Sequence, residues 1–254
     1  MTRCVFVLDL FNGSAVHAVR GERKKYRPIQ EMSKIVGTSS PLSILDLLRP
    51  KEVYVADLDR IMGAGENLDL IGEIARRAET MADIGISSKD ELDLLPPSVK
   101  PVLGTETGFI SLLEEASSRR DVVVSIDLFG GEVLSRDPAL KIPPLDLIRK
   151  LNPLPIREVI LLSLDRVGTS KGLDERFLRA AADLSDHPLL LGGGVRDVRD
   201  LERLEDLGLA GALVATAVHR GKVPLGRPQR MSSCTSVALS QFQPLRPIRS
   251  SGPR

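Results

Sequence analysis

The chain has 254 residues, 42% hydrophobic and 27% charged, which excludes disorder as its main state and suffices to bury a sizeable core. No run approaches the ~18 consecutive apolar residues of a membrane span, and Met1 to Arg3 lead into the first apolar run without a signal-peptide pattern, so a cytoplasmic protein is expected. The net charge of +1 hides a division: residues 1–206 carry 28 basic and 34 acidic side chains, whereas the last 48 residues carry seven basic and no acidic ones.

In chain order, short β-branched runs alternate with longer amphipathic stretches, the pattern of βα units around a parallel sheet. The predicted strands are Cys4–Leu8, Val53–Ala56, Thr80–Ile84, Val99–Leu103, Val122–Ile126, Val159–Ser163, Leu189–Leu191 and Ala212–Ala215. Helical spacing is clearest at Leu68, Ile71, Ile74 and Ala75 and at Val198, Leu201 and Leu204, and Ser40-Pro41 and Ser87-Ser88-Lys89-Asp90 are capping sequences. From about Arg227 onward the chain is rich in Pro, Ser and Arg. That segment, 227–254, is expected to be a flexible basic tail; it lacks the basic-aromatic interleaving that would suggest nucleic acid or a membrane as partner. Before the tail, no long helix follows the eighth strand, so either a short one around Ser236 to Phe242 covers the barrel or a second subunit does, as in a homo-oligomer.

The two halves of the body match each other. Asp9-Leu10-Phe11-Asn12-Gly13 corresponds to Asp127-Leu128-Phe129-Gly130-Gly131, Leu58-Asp59-Arg60-Ile61 to Leu164-Asp165-Arg166-Val167, Gly85-Ile86 to Gly194-Val195, and Thr105 to Thr216. Four collinear matches, each at the carboxyl end of a strand, predict a single α/β domain over residues 1–226: a TIM (βα)8 barrel built from two duplicated (βα)4 halves, about 1–118 and 119–226. Such barrels place their sites where the strands end. Asp9 and Asp127, on the first and fifth strands, would face each other across that mouth, a pairing suited to general acid-base chemistry. Gly192-Gly193-Gly194 before a helix, with Thr216 after the eighth strand, can hold a phosphate. The equivalent first-half positions, Gly85, Gly104 and Thr105, predict a second phosphate site, weakened because Asp83 adds negative charge there. Cys4 and Cys234 form no disulfide framework, and His17, His187 and His219 are too scattered to be a ligand set, so no metal is expected.

VFVLDLFNGSAVHAVRGERKKY (5–26), VYVADLDRIMGAGENLDLI (53–71) and LLLGGGVRDVRDLERLEDLGLAGALVATAVHRGKV (189–223) resemble the HisA/HisF histidine-biosynthesis barrels over about residues 3–223, and are most similar to the HisA isomerase. The first-loop segment Arg20 to Tyr26 is less similar to the related cyclase. The resemblance implies an aldose-ketose (Amadori) isomerase acting on a phosphorylated aminoribose, without cofactor or metal. It implies Asp9 as general base at C2 and Asp127 as the acid that opens the ribose ring. Gly193, Gly194 and Thr216 would hold one phosphate and Gly85, Gly104 and Thr105 the other, with Asn12, Gly13 and Arg20 shaping the first loop over the ligand. Three departures accompany it: Leu162 replaces a polar threonine and Val167 an Asp, no tryptophan exists for the loop after strand five, and the first phosphate site is altered. They leave open a divergent relative acting on another sugar phosphate, for example in a one-carbon cofactor pathway, and a phosphate-binding barrel without turnover.

Overall fold

The computed structural model describes residues 3–20, 22 and 25–225; the predicted tail and the Ser236 to Phe242 segment lie outside them. Eight strands form a closed parallel barrel: β1 (Arg3–Phe11), β2 (Glu52–Asp57), β3 (Glu79–Asp83), β4 (Val99–Gly104), β5 (Val123–Phe129), β6 (Glu158–Ser163), β7 (Leu189–Gly192) and β8 (Gly211–Val214). Each pairs in parallel with the next, and β8 returns to β1 through Arg3–Gly211 to Phe6–Val214. All eight predicted strands are present, with ends shifted by a residue or a few. The chain is therefore an α/β TIM barrel.

Period-two alternation sorts the strand residues into two cores. Val5, Tyr54, Met81, Val102, Val123, Ile160, Leu190 and Leu213 fill the barrel interior. Their neighbours, among them Phe6, Val53, Val55, Leu103, Val124, Leu161 and Leu191, face outward onto the helices. The same alternation carries Asp9, Asp83 and Asp127 to the inner side at the carboxyl ends, so the order that packs the barrel also positions its mouth.

The helices are α1 (Pro41–Leu48), the one-turn α2 (Leu58–Ile61), α3 (Leu68–Ala75), α4 (Ile110–Arg119), α5 (Pro144–Leu151), α6 (Glu175–Leu184), α7 (Val198–Asp206) and the short α8 (Thr216–His219). Ser40 caps α1 by accepting from the Ser43 N–H, with Pro41 at the first helical position, and Asp197 caps α7 through the N–H groups of Arg199 and Asp200. Between β3 and β4 the capping sequence starts only a 3-10 segment, Lys89–Leu94, closed by a capping box between Ser88 and Glu91. Pro96 and Pro97 stop it, because proline cannot donate into a continuing helix. The Arg120 guanidinium holds the resulting loop by donating to the carbonyls of Leu92, Leu95, Pro96 and Val99.

Two hairpins extend the barrel rim. β1 continues past Asp9 and folds back through Asn12-Gly13 (φ 49° and 69°) onto Ser14–His17; β5 folds back through Gly130-Gly131 (φ 62° and 87°) onto Glu132–Val133. Both are two-residue turns with positive φ, the geometry that matches strand twist. At the opposite end, Arg3 on β1 bridges Glu52 (2.7 Å) and Glu158 (2.5 Å), tying β2 to β6 beneath the interior core. No described helix is long and apolar enough to cross a membrane.

Candidate active site

A cavity of about 360 Å³ opens at the carboxyl ends of the strands, the size of a small-molecule site. Of the residues the sequence singled out, Asp9, Asp127, Gly104, Arg20, Gly193, Gly194 and Thr216 line it. Gly85, Thr105, Asn12 and Gly13 are not among the lining residues, and Asn12 and Gly13 are exposed at the tip of the first hairpin. The N–H of Asn12 donates to Asp59 (2.7 Å) and that of Gly13 to Asn67 (3.1 Å), while Asn67 donates to both Asp57 and Asp59. This buried network anchors the first hairpin to the loop after β2, and it gives the carboxylates of Asp57 and Asp59 a structural use.

Asp9 and Asp127 stand on strands one and five of eight, on opposite sides of the mouth. Asp9 is half-buried, open only to the cavity, and loss of solvent pushes its carboxyl up to about 7. Asp127 is buried; desolvation and then the neighbouring Asp83 carboxylate push it up to about 7, against hydrogen bonds from the Ser125 hydroxyl (2.7 Å) and the Glu106 N–H (2.9 Å). Burial thus favours the protonated form of both carboxyls well beyond the ordinary carboxylate range.

The structure adds residues that sequence reasoning left out of the site. Tyr54 points inward from β2, its hydroxyl 3.5 Å from Asp83 Oδ2, and burial followed by Asp83, Asp127 and Asp9 raises its pKa. The one sequence signal was its inward register two residues before Ala56. Asp83 and Glu106 line the same side of the cavity. On the other side His17 lies 3.3 Å from the Thr216 hydroxyl, and burial, then Arg220, lowers its pKa, favouring the neutral ring. The second-half wall is apolar, as the departures at Leu162 and Val167 imply: Leu162, Leu164 and Val167 face the cavity. Leu162 Cδ1 would lie 2.6 Å from a Cβ at Gly192, so a side chain there would have to displace the Leu162 side chain.

Gly193 and Gly194 adopt φ of 88° and 93°, open to glycine and strained for other residues. A Cβ on Gly193 would sit 2.7 Å from the Ser163 carbonyl, and one on Gly194 2.8 Å from that of Gly172. Among the described residues neither glycine donates its N–H to a protein group, which leaves both amides for a ligand. The first loop closes against this side, with the Arg20 N–H donating to Val167 (3.0 Å) and Gly168 packed on the Ala18 carbonyl. No group of three or more His, Cys, Asp or Glu side chains among the described residues is placed to hold a metal ion.

Fold and site together define a (βα)8 barrel with a ligand cavity flanked by two opposed carboxyls. Residues 3–224 match the profile described as "Histidine biosynthesis protein", and the chain belongs to that family. It is 34% identical over 229 residues to an uncharacterized protein of Methanocaldococcus jannaschii, covering 86% of this chain and 94% of that one. The 1-(5-phosphoribosyl)-5-((5-phosphoribosylamino)methylideneamino) imidazole-4-carboxamide isomerase of Deinococcus radiodurans is 32% identical over 183 residues, covering 68% of this chain and 76% of its own. The isomerase of the same name from Thermus thermophilus is 27% identical over 238 residues, with coverage of 88% and 97%.

Proposed function

We propose that this protein is an aldose-ketose isomerase that carries out an Amadori rearrangement on a phosphorylated aminosugar. The observation that carries the reading is the opposed pair Asp9 and Asp127, both facing the cavity and both shifted by burial to about 7. Two relatives named as isomerases of a phosphoribosylamino compound support it.

The chemistry follows from proton bookkeeping. Asp127, whose proton the adjacent Asp83 favours, gives it to the ring oxygen as the C1–O bond breaks and the nitrogen lone pair forms C1=N⁺. Asp9 then removes the C2 proton, and the released pair forms C1=C2 and neutralises the nitrogen. Asp9 then returns its proton to C1 of the enolamine and the O2 proton goes to Asp127, leaving the 1-amino-2-ketose and both carboxyls as they began. General acids and bases act best with pKa values near the working pH, which is what burial supplies to both groups.

Phosphate is held by the free amides of Gly193 and Gly194 and the Thr216 hydroxyl, with Arg20 as the cation of that wall. Gly104 matters by its missing side chain: a Cβ there would lie 2.8 Å from Asp127 Oδ2. The test is turnover by the purified protein of 5-phosphoribosylamino compounds, including the imidazole carboxamide of the named relatives, followed by appearance of the ketose. Turnover of at least one of these compounds by the intact protein is expected; turnover of none of them overturns the reading.

A further inference from the structure

The two ends of the cavity are formed by stretches that match in the sequence comparison of the halves, Asp83-Ile84-Gly85 at the end of β3 and Gly192-Gly193-Gly194 at the end of β7, yet their donors are disposed in opposite ways. At the β7 end the amides of Gly193 and Gly194 are free. At the β3 end the Gly85 N–H donates to Asp83 Oδ1 (2.9 Å), and Gly85 is not among the lining residues. The next donor a phosphate could use, the Glu106 N–H after β4, is taken by Asp127 Oδ2 (2.9 Å). Thr105, the counterpart of Thr216, is buried with its hydroxyl oxygen accepting from the Asp127 N–H (2.9 Å). Asp83 stands where Gly192 stands, and a Cβ built at Gly104 would lie 3.5 Å from Asp83 Oδ2 and 2.8 Å from Asp127 Oδ2. Carboxylate oxygens thus occupy the space and the amide donors that a second phosphate needs, and the Thr105 hydroxyl is buried outside the cavity lining.

We propose that the ligand carries a single phosphate, bound at the Gly193, Gly194 and Thr216 end, and presents a neutral or cationic group to the opposite end, where Asp83 is the specificity-determining residue that excludes a second phosphate. The inference rests on the proposed isomerase reading for the aminosugar nature of the ligand; the number of phosphates comes from the disposition of donors. An anion placed against buried carboxylates loses more than its own hydration, because their repulsion is little screened. A neutral substituent on the aminosugar nitrogen carries no such penalty.

The test is calorimetric titration of the full chain with ribose 5-phosphate and with ribulose 1,5-bisphosphate. One site for the monophosphate is expected, with the bisphosphate weaker by about a hundredfold, the scale of a like-charge contact. Asp83→Gly, which restores the residue found at position 192 and frees the Gly85 amide, should narrow or reverse that order. Asp83→Asn, which keeps the side-chain acceptor and removes the charge, should recover part of it and serves if the glycine variant does not fold. Bisphosphate binding tighter than monophosphate in the unaltered protein, or turnover of a doubly phosphorylated aminosugar as fast as of a singly phosphorylated one, overturns the inference. Single-site monophosphate binding without turnover of any aminosugar would leave it standing and remove the isomerase reading alone.

Discussion

The β3–β4 end and the β7–β8 end of the mouth are built from similar strands and turns, and they differ in whether the backbone donors are spent. At β7–β8 glycines hold amides open, and among the described residues no carboxylate accepts from them. At β3–β4 Asp83 takes the Gly85 amide, the equivalent of that of Gly194, Asp127 takes the amide of Glu106, and both carboxyls lie at that end. A turn motif is therefore not a phosphate site in itself: what decides is whether a side chain of the same protein reaches its donors first, since a buried amide bonded to a carboxylate gains more than one left to a neutral partner.

The comparison can be broken most severely at the carboxyls between the two ends. Asp9→Asn and Asp127→Asn are each expected to lower kcat by about a hundredfold or more, the scale of general acid-base catalysis, while ribose 5-phosphate still binds; retained turnover in either variant removes that residue from the chemistry. Thr216→Val deletes one donor at the β7–β8 end and should weaken ribose 5-phosphate about tenfold, as for a hydrogen bond to a charged group. Thr105→Val, its β3–β4 counterpart, should leave that affinity unchanged in the same titration.

The pH dependence sharpens the comparison further. An acid whose folded pKa lies at about 7, against 3.8 when unfolded, keeps its proton in the folded state after the unfolded chain has lost it. Stability contributed by Asp9 and Asp127 is thus complete below about pH 4 and falls as the pH rises to about 7. Asp9→Asn should accordingly be more stable than the parent at pH 8, by about 1 kcal/mol or more, and the gap should close near pH 4 in paired denaturation curves. A gap that widens toward low pH would contradict the raised pKa. The smallest effect is expected at Gly85→Ala: φ of 68° and contacts of 3.2 Å with Ile61 predict a stability loss of about 1–2 kcal/mol with unchanged ribose 5-phosphate affinity. Gly193→Ala should lose both stability and affinity.

Much of this was legible in the chain. Eight β-branched runs spaced by amphipathic stretches specify the barrel because strand and helix periods differ and each must bury its apolar side. Asp9 and Asp127 could be placed opposite each other from strand order alone. The hairpin beyond β1 had a signal in Asn12-Gly13, which favours positive φ at two successive residues, but its anchoring to Asp59 and Asn67 joins segments about 50 residues apart and has no local signature. Tyr54 reads as one more apolar residue of a buried strand until the barrel closes and aims its hydroxyl at Asp83.

The sequence by itself determined the strand order, the inward register of the three aspartates and the glycines that permit left-handed turns, because these depend on period and on local backbone sterics. Only the tertiary structure decided which amides remain free, which carboxyls lose water and which loop seals which side. Desolvation and donor competition depend on what neighbouring strands bring within about 3 Å, and the sequence fixes that distance only through the closed barrel.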